Sequence, residues 1–555
     1  MLPLKNALQD HDLIVLRVIG EWWELDLTGS NKAACVKELA KVLPQLDLAD
    51  EIGALAPEEA AALQALLANG GRLPVATFVR QFGDVRMMGP AALERDEPWY
   101  EPENAAEAIW YKGLLYKGFA EVDGVPKEYF YLPNELMAQF PAPVQETAVS
   151  PKTSTPSPKS TAVAALPPAP PPSDITAAAT TDAVDDMTTL LALAQRGQLH
   201  EGQAKALRPY LYHPNLSRLA MLTTIGLEMG LLRETAEGYR PARTAVEWLQ
   251  KSREAQLRAL VEGWRTSAWN ELRHTPHLVC EGSGWQNDPT AARAALLEVL
   301  TPSETWFATA DVLAHIKQTN PDFQRPNGNY DTWYIRDEEM GDYVTGFENW
   351  AAVEGRLLAF LVQGPLHWLG LTDLSNSLYR LTPRAVAWLT HQPIRDNDVA
   401  VPILVHPDAT MLVPFNADRY QRFQVARIAE PLPVEVGKPF GYRLTPRSLA
   451  EAHAQGINAE RVVEFLQKVS TRPLPPSTKR AIERWASNGT EARIEQGVIL
   501  RVKEPEILEK LRQHAKTRPF LGESIGDLAA IVPTSHWPEL CAQAAQLGLL
   551  LEVEM

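Results

Sequence analysis

Three features of the sequence predict an α+β protein: hydrophobic spacing that switches between helical runs and short strands, one supersecondary device used four times, and a compositionally distinct segment that divides the chain. At about 150 residues per domain, 555 residues suggest roughly three or four domains. With 45% hydrophobic residues the chain can build large cores, so most of it should be globular.

The dividing segment is 141–183, PAPVQETAVSPKTSTPSPKSTAVAALPPAPPPSDITAAATTDA. Of its 43 residues 32 are Pro, Ala, Ser or Thr and none is aromatic. Such a stretch has too little apolar surface to offset its ordering entropy, so a semi-extended linker is expected.

Before it, Pro57–Asn69 reads as a helix stopped by Gly70, and Pro74–Phe82 as a second, with Val75, Phe78, Val79 and Phe82 at helical spacing. A third helix is expected from near Pro102 through Leu114. Strands Phe119–Val122 and Tyr129–Leu132 should then turn at Asp123-Gly124. Three helices closed by a two-stranded wing is the order of a winged helix.

The repeated device is a strand carrying a core aromatic that turns into a helix opened by proline. It occurs at Tyr129–Pro133, Tyr239–Pro241, Tyr379–Pro383 and Tyr442–Pro446, the last two with Thr382 and Thr445 as N-caps. Gly230 and Gly370 precede two of the copies at matching distance. The predicted order is therefore an N-terminal winged-helix domain (1–140), the linker (141–183), a winged helix (184–255), and a winged helix with an aromatic insertion at 320–349 (256–397). A mixed α/β domain (398–555) closes the chain. In that last domain the pattern gives a hairpin of 401–405 with 411–413, then helices at 446–455, 458–470 and 477–488. A second hairpin, 491–495 with 498–502, precedes helix 504–515, strand 528–532, helix 536–547 and strand 549–553.

Charge is unevenly spread. The chain is net −16 and residues 1–150 carry 12 basic against 23 acidic residues, which disfavours non-specific coating of nucleic acid. Residues 419–484 reverse the sign, with 12 basic and 6 acidic residues. Arg443, Arg447, Lys468, Arg472, Lys479, Arg480 and Arg484 fall there on consecutive helix ends and are the candidate DNA-binding residues. Arg480 and Arg484 share one helix face.

The sequence holds no GxxxxGK[ST], HExxH, GxSxG or CxxC. Asp185-Asp186 and Asp337-Glu338-Glu339 read as solvated surface, and His406-Pro-Asp408 as turn chemistry. No catalytic or metal site and no cofactor is expected. Three cysteines, Cys35, Cys280 and Cys541, are too few for a disulfide framework, and no apolar run of 18 residues or signal segment is visible. A cytoplasmic protein away from membranes is the expectation.

Residues 401–553 resemble a known family. ILVHPDATMLVPF (403–415), YRLTPRSLAEAHAQGINAERVVEFLQKVSTRPLPPSTKRAIERWASNG (442–489) and ARIEQGVILRV (492–502) are similar to the N-terminal domain of XPB-type DNA repair helicases and of bacterial helicase-associated proteins bearing it. The 290–391 region, with TWFATADVLAHIKQTNPDFQRP and GPLHWLGLTDL, looks like the winged-helix region of those proteins. The family's ATPase lobes and their phosphate loop have no counterpart, so unwinding is not carried over. The resemblance implies a non-enzymatic, DNA-associated adaptor that binds a helicase or other ATPase through its C-terminal domain. Two alternatives stand beside it: a regulator reading duplex DNA through its winged helices, and an enzyme of unrecognised motif. For the regulator, only helix 214–229 offers suitable residues, Asn215, Ser217, Arg218 and Thr223.

Overall fold

A computed structural model describes residues 3–46, 48, 55–122, 125–140, 166–200, 202, 204–325, 328–394, 399–435, 437–492 and 496–554. Most of the linker segment, 141–165, and the Asp123-Gly124 turn lie outside them. The fold is α+β, with helices and small antiparallel sheets. Two compact units form. The first comprises Met1–Val401, Pro414–Ala426 and Leu432–Phe440; the second comprises Pro402–Val413, Arg427–Pro431 and Gly441–Met555.

In the first unit, helices α1 (Leu4–Asp10), α2 (Leu13–Trp22) and α3 (Lys32–Val42) precede α4 (Pro57–Ala68). Proline opens α4 and Glu58 and Glu59 face its positive end. Gly70 and Gly71, both at positive φ, close it, and Gly71 N–H donates to Leu66 O at 2.7 Å. Strand β1 (Arg72–Pro74) and helices α5 (Val75–Phe82), α6 (Pro90–Asp96) and α7 (Ala105–Tyr111) follow. Strands β2 (Tyr116–Val122) and β3 (Val125–Tyr131) complete a sheet of order β1-β3-β2 over Leu63, Leu66, Phe78, Ile109 and Phe130. Glu107 of α7 is fully buried and meets Arg86 through bonds of 2.8 and 2.7 Å. His11 sits in the same core, edge-on to Trp110 at 4.5 Å.

The unit continues with α8 (Asp182–Gln195), α9 (Leu216–Glu228), hairpin β4 (Leu232–Thr235) and β5 (Gly238–Pro241), α10 (Thr244–Leu249) and α11 (Arg253–Thr266). Next come β6 (Leu278–Cys280), α12 (Pro289–Val299), β7 (Trp306–Ala308), α13 (Thr309–Thr319) and β8 (Ile335–Asp337). A helical run over 351–366 leads into β9 (Thr372–Ser375), β10 (Leu378–Leu381) and α14 (Pro383–Leu389).

Two copies of the repeated device share one backbone bond, and in each a threonine hydroxyl, from a different position, ties the turn glycine. Gly230 and Gly370 both take positive φ, and their carbonyls accept the hydroxyls of Thr244 and Thr382. Ala242 N–H donates to Leu231 O at 2.9 Å, and Thr382 N–H to Leu371 O at 3.0 Å. Insertion 320–349 packs partly on itself, with Tyr330 edge-on to Phe347 at 5.2 Å, and partly on residues outside it: Trp333 stacks on Trp285 at 4.9 Å and Asp322 pairs with Arg80 at 2.6 Å.

Two expectations are corrected here. Residues 166–181, assigned to the linker by composition, are bound along both edges of the β7-β10-β9 sheet. Ala169 N–H donates to Trp306 O at 2.8 Å, Ala177 bridges Leu374, and Ala179 N–H donates to Asp373 at 2.8 Å. Edge strands offer unpaired backbone groups, which this proline-rich stretch covers without needing a core of its own.

The second correction concerns Asp185-Asp186. Both carboxylates are buried on α8. Asp185 meets Arg253 at 2.6 Å and Arg422 at 3.0 Å, while Asp186 pairs with buried Arg218 and accepts from Tyr212 N–H at 2.8 Å. Arg422 lies on helix α15 (Arg419–Ile428), stacked 3.4 Å above Phe440. Burial pushes the Asp185 carboxyl above the ordinary carboxylate range, against the pull of the two arginines. Asp337 is likewise buried rather than solvated. It accepts from the N–H groups of Glu339 and Met340 and pairs with Arg356 at 2.6 Å.

Truncating Arg422 to Ala leaves Asp185 short of a partner in a dry site, which should cost about 3–5 kcal/mol. Urea denaturation of the full chain measures it, and a loss below about 1 kcal/mol would show the pairing to be incidental. His11 gives a pH signature. Burial lowers its pKa from 6.5 to about 4, so between those values the unfolded chain binds a proton that the native one refuses. Stability should therefore fall by about 3 kcal/mol as pH drops from 6.5 to 4. His11→Phe should remove that component of the pH profile.

Candidate nucleic-acid interface

The second unit starts from a hairpin. Strands β11 (Leu404–Val405) and β12 (Thr410–Val413) join β13 (Glu430–Pro431) and β14 (Phe440–Arg443) in the order β11-β12-β14-β13. The turn His406–Thr410 is shaped by its own groups. Thr410 N–H donates to the Asp408 carboxylate at 3.0 Å, and Ala409 takes a φ of 63°. The hydrogen bond holds the Asp408 carboxyl below the ordinary range. His406-Pro-Asp408 thus forms a turn.

Three helices follow: α16 (Pro446–Ala454), α17 (Ala459–Val469) and α18 (Pro476–Asn488). Thr445 caps α16 by accepting from Ser448 N–H at 3.0 Å, and Asn458 caps α17 by accepting from Arg461 N–H at 3.0 Å. The loop Ser470–Pro475 is clamped beside the hairpin. Ile403 N–H donates to Val469 O and Thr471 N–H to Ile403 O, each at 3.0 Å. Two hydroxyls at the start of α18 then reach the turn, Ser477 to Pro407 O at 2.9 Å and Thr478 to His406 O at 3.0 Å. Stretches of sequence far apart are thereby held as one piece.

All seven candidate cations are exposed on this piece. Arg447 pairs with Glu451 at 2.9 Å, Lys479 with Glu483 at 3.8 Å, and Arg484 with Glu491 at 2.5 Å. Asn488 also donates to Glu491, and the Arg484 guanidinium holds the Glu491 carboxyl below its ordinary range. Arg443, Lys468, Arg472 and Arg480 form no ion pair among the described residues, and Arg480 Nε donates only to Pro476 O at 3.3 Å. Arg480 and Arg484 share a face of α18, with Trp485 half-buried beside them. Four cations keep their charge uncompensated and three are answered locally. Acids four or seven residues downstream supply those answers, a signal already present in the sequence.

The unit closes with β15 (Gly497–Arg501), α19 (Pro505–Gln513), β16 (Ala529–Pro533) and α20 (Trp537–Gln546). β15 pairs with β16, and residues 493–495 of the expected 491–495 strand lie outside the described residues. Residues 549–554 form no strand. The ladder sets Val498 opposite buried Val532 and Leu500 opposite buried Ala530, all on one face.

Helix α9, the sequence candidate for groove reading, loses two of its four residues to the fold. Arg218 is buried against Asp186, and the Asn215 side chain caps the helix at Arg218 N–H. The Thr223 hydroxyl bonds Leu219 O. Among the described residues no cluster of three or more His, Cys, Asp or Glu is placed to hold a metal, and no helix is long and apolar enough to cross a membrane.

Residues 403–526 match a family described as the helicase conserved C-terminal domain. This segment is helicase-related. A DNA 3'-5' helicase XPB of Kineococcus radiotolerans is 30% identical over 153 residues, which is 26% of this chain and 27% of that protein. The chain therefore spans about a quarter of the length of the curated relative it matches. The family description names a helicase C-terminal domain, and the sequence resemblance was to an N-terminal one; both place the segment with helicase proteins.

The Thr478 hydroxyl is the buried anchor between α18 and the hairpin turn. Thr478→Val should cost about 1–2 kcal/mol and lower the thermal midpoint. An unchanged midpoint would mean that apolar packing alone seats the helix.

Proposed function

We propose that this chain is a non-catalytic, DNA-associated adaptor that works beside a helicase or another ATPase. Its 398–555 region serves as the docking module, and nucleic acid is held through Arg443, Lys468, Arg472 and Arg480. One observation carries this reading: four exposed cations without acidic partners among the described residues, gathered in the helicase-related segment of a chain that is net −16. Such cations hold phosphate by charge and by released counterions, and they position a duplex without reading its bases. The sequence carries no GxxxxGK[ST] loop, which supports a partner-supplied motor. The repeated helix-and-hairpin units of the first unit serve, in this reading, as winged-helix scaffolding.

The test separates the unpaired cations from the paired ones. Arg443, Arg472 and Arg480 changed together to Ala should weaken duplex binding and lower the salt slope by about 0.9 for each phosphate left without its cation. The matched triple Arg447, Lys479 and Arg484 to Ala should weaken it less, since each of these already faces a carboxylate. Equal weakening by both sets, or none by either at low salt, would end the assignment. The same purified protein should hydrolyse no ATP with or without DNA, and DNA-stimulated turnover would end the adaptor reading.

A further inference from the structure

The C-terminal sheet of the second unit has one face on its own core and one in solvent. Ala530 and Val532 point inward and are buried. On the other face, Ile499 of β15 lies directly opposite Ile531 of β16, and the two are 48% and 37% exposed. Residues 522–525 add a third, irregular strand. Ser524 bridges Ala530, Ile531 N–H donates to Glu523 O at 2.9 Å, and Ile525 N–H donates to Ala529 O at 2.8 Å. Because opposed residues on an antiparallel ladder share a face, the side away from Ala530 and Val532 carries two rows, Glu523–Ile531–Ile499 and Ile525–Ala529–Arg501, all exposed except Ala529, which its neighbours cover. Ile525 is 51% exposed, and Leu528 in the adjoining turn 47%. Branched apolar residues concentrated on an exposed sheet face mark an interaction surface.

The corners of this face say what covers it. Glu523 and Arg501 stand at diagonally opposite corners, both exposed and neither in an ion pair among the described residues. A two-fold axis lying in the plane of the face and across that diagonal exchanges the two corners. It sets each Glu523 against the Arg501 of a second copy, with the isoleucines packed between. The face is self-complementary, as an isologous contact requires.

We propose that this face joins two copies of the chain into a symmetric dimer, held by Ile499, Ile525, Ile531 and Leu528 and registered by two Arg501–Glu523 pairs across the interface. The dimer would double any DNA-binding patch the chain presents, although it does not depend on one.

Sedimentation equilibrium of the full chain at tens of micromolar should give twice 61.5 kDa. Arg501→Glu and Glu523→Arg each place like charges at both corners, and each variant alone should dissociate at least tenfold more readily. Mixed in equal amounts the two should pair again, because one copy then offers two acids and the other two arginines. Misfolding cannot produce that rescue. A monomeric wild type, dimers indifferent to both reversals, or variants that fail to re-pair on mixing would each overturn the proposal. The first of these outcomes would leave the face to a different protein.

Discussion

Asp185 is the group on which the first unit turns. A carboxylate removed from water is expensive unless its charge is answered, and here two guanidinium groups answer it, from Arg253 on α11 and Arg422 on α15. Arg253 also donates to Phe415 O at 2.6 Å, and Arg419 donates to Gln256 at 3.0 Å. The neighbouring Asp186 does the same for Arg218 and for the backbone of Tyr212. Four segments far apart in sequence are thereby fixed around one turn of α8. Apolar packing alone would tolerate some sliding of these helices, whereas directional bonds to a buried charge do not.

That constraint explains how the chain is partitioned. The helicase-related match begins at 403, yet residues 414–426 and 432–440 belong to the first compact unit. The reason is local: Arg419 and Arg422 project from the start of α15 into the Asp185 site, and Phe440 stacks on Arg422. A boundary drawn by sequence similarity and one drawn by packing therefore differ over these residues. A fragment beginning near 398 would carry Arg419 and Arg422 without the carboxylate that answers them.

The basic segment shows how a net charge conceals unequal parts. Residues 419–484 hold 12 basic residues, but Arg419 and Arg422 are buried within the first unit. Arg447, Lys479 and Arg484 are answered by nearby glutamates. What remains for phosphate is a subset that composition cannot separate from the rest. The same holds for α9, where a sequence suited to a DNA groove spends its arginine on an internal acid.

The sequence by itself determined the elements whose causes are local. Caps at Thr382 and Thr445, prolines opening α4, α14 and α16, and the apolar spacing of 57–82 placed those helices within a few residues. The copies at Tyr379–Pro383 and Tyr442–Pro446 were legible for the same reason, since aromatic, capping threonine and proline lie within a short span, whereas at Tyr239–Pro241 the proline ends β5 and α10 starts at Thr244. The candidate cations were legible as residue types; which of them stay unpaired became clear only once the fold was in place. Tertiary structure alone decided what depends on distant partners. Asp185, Asp186 and Asp337 read as surface acids until arginines elsewhere along the chain enclose them. Residues 166–181 read as linker until the edges of a sheet bind their backbone, and β15 pairs with β16 across an intervening helix. Periodicity and capping act over a few residues and leave a mark at each position. The burial of a charge and the choice of a strand partner are settled by long-range packing, for which no single stretch of sequence carries a sign.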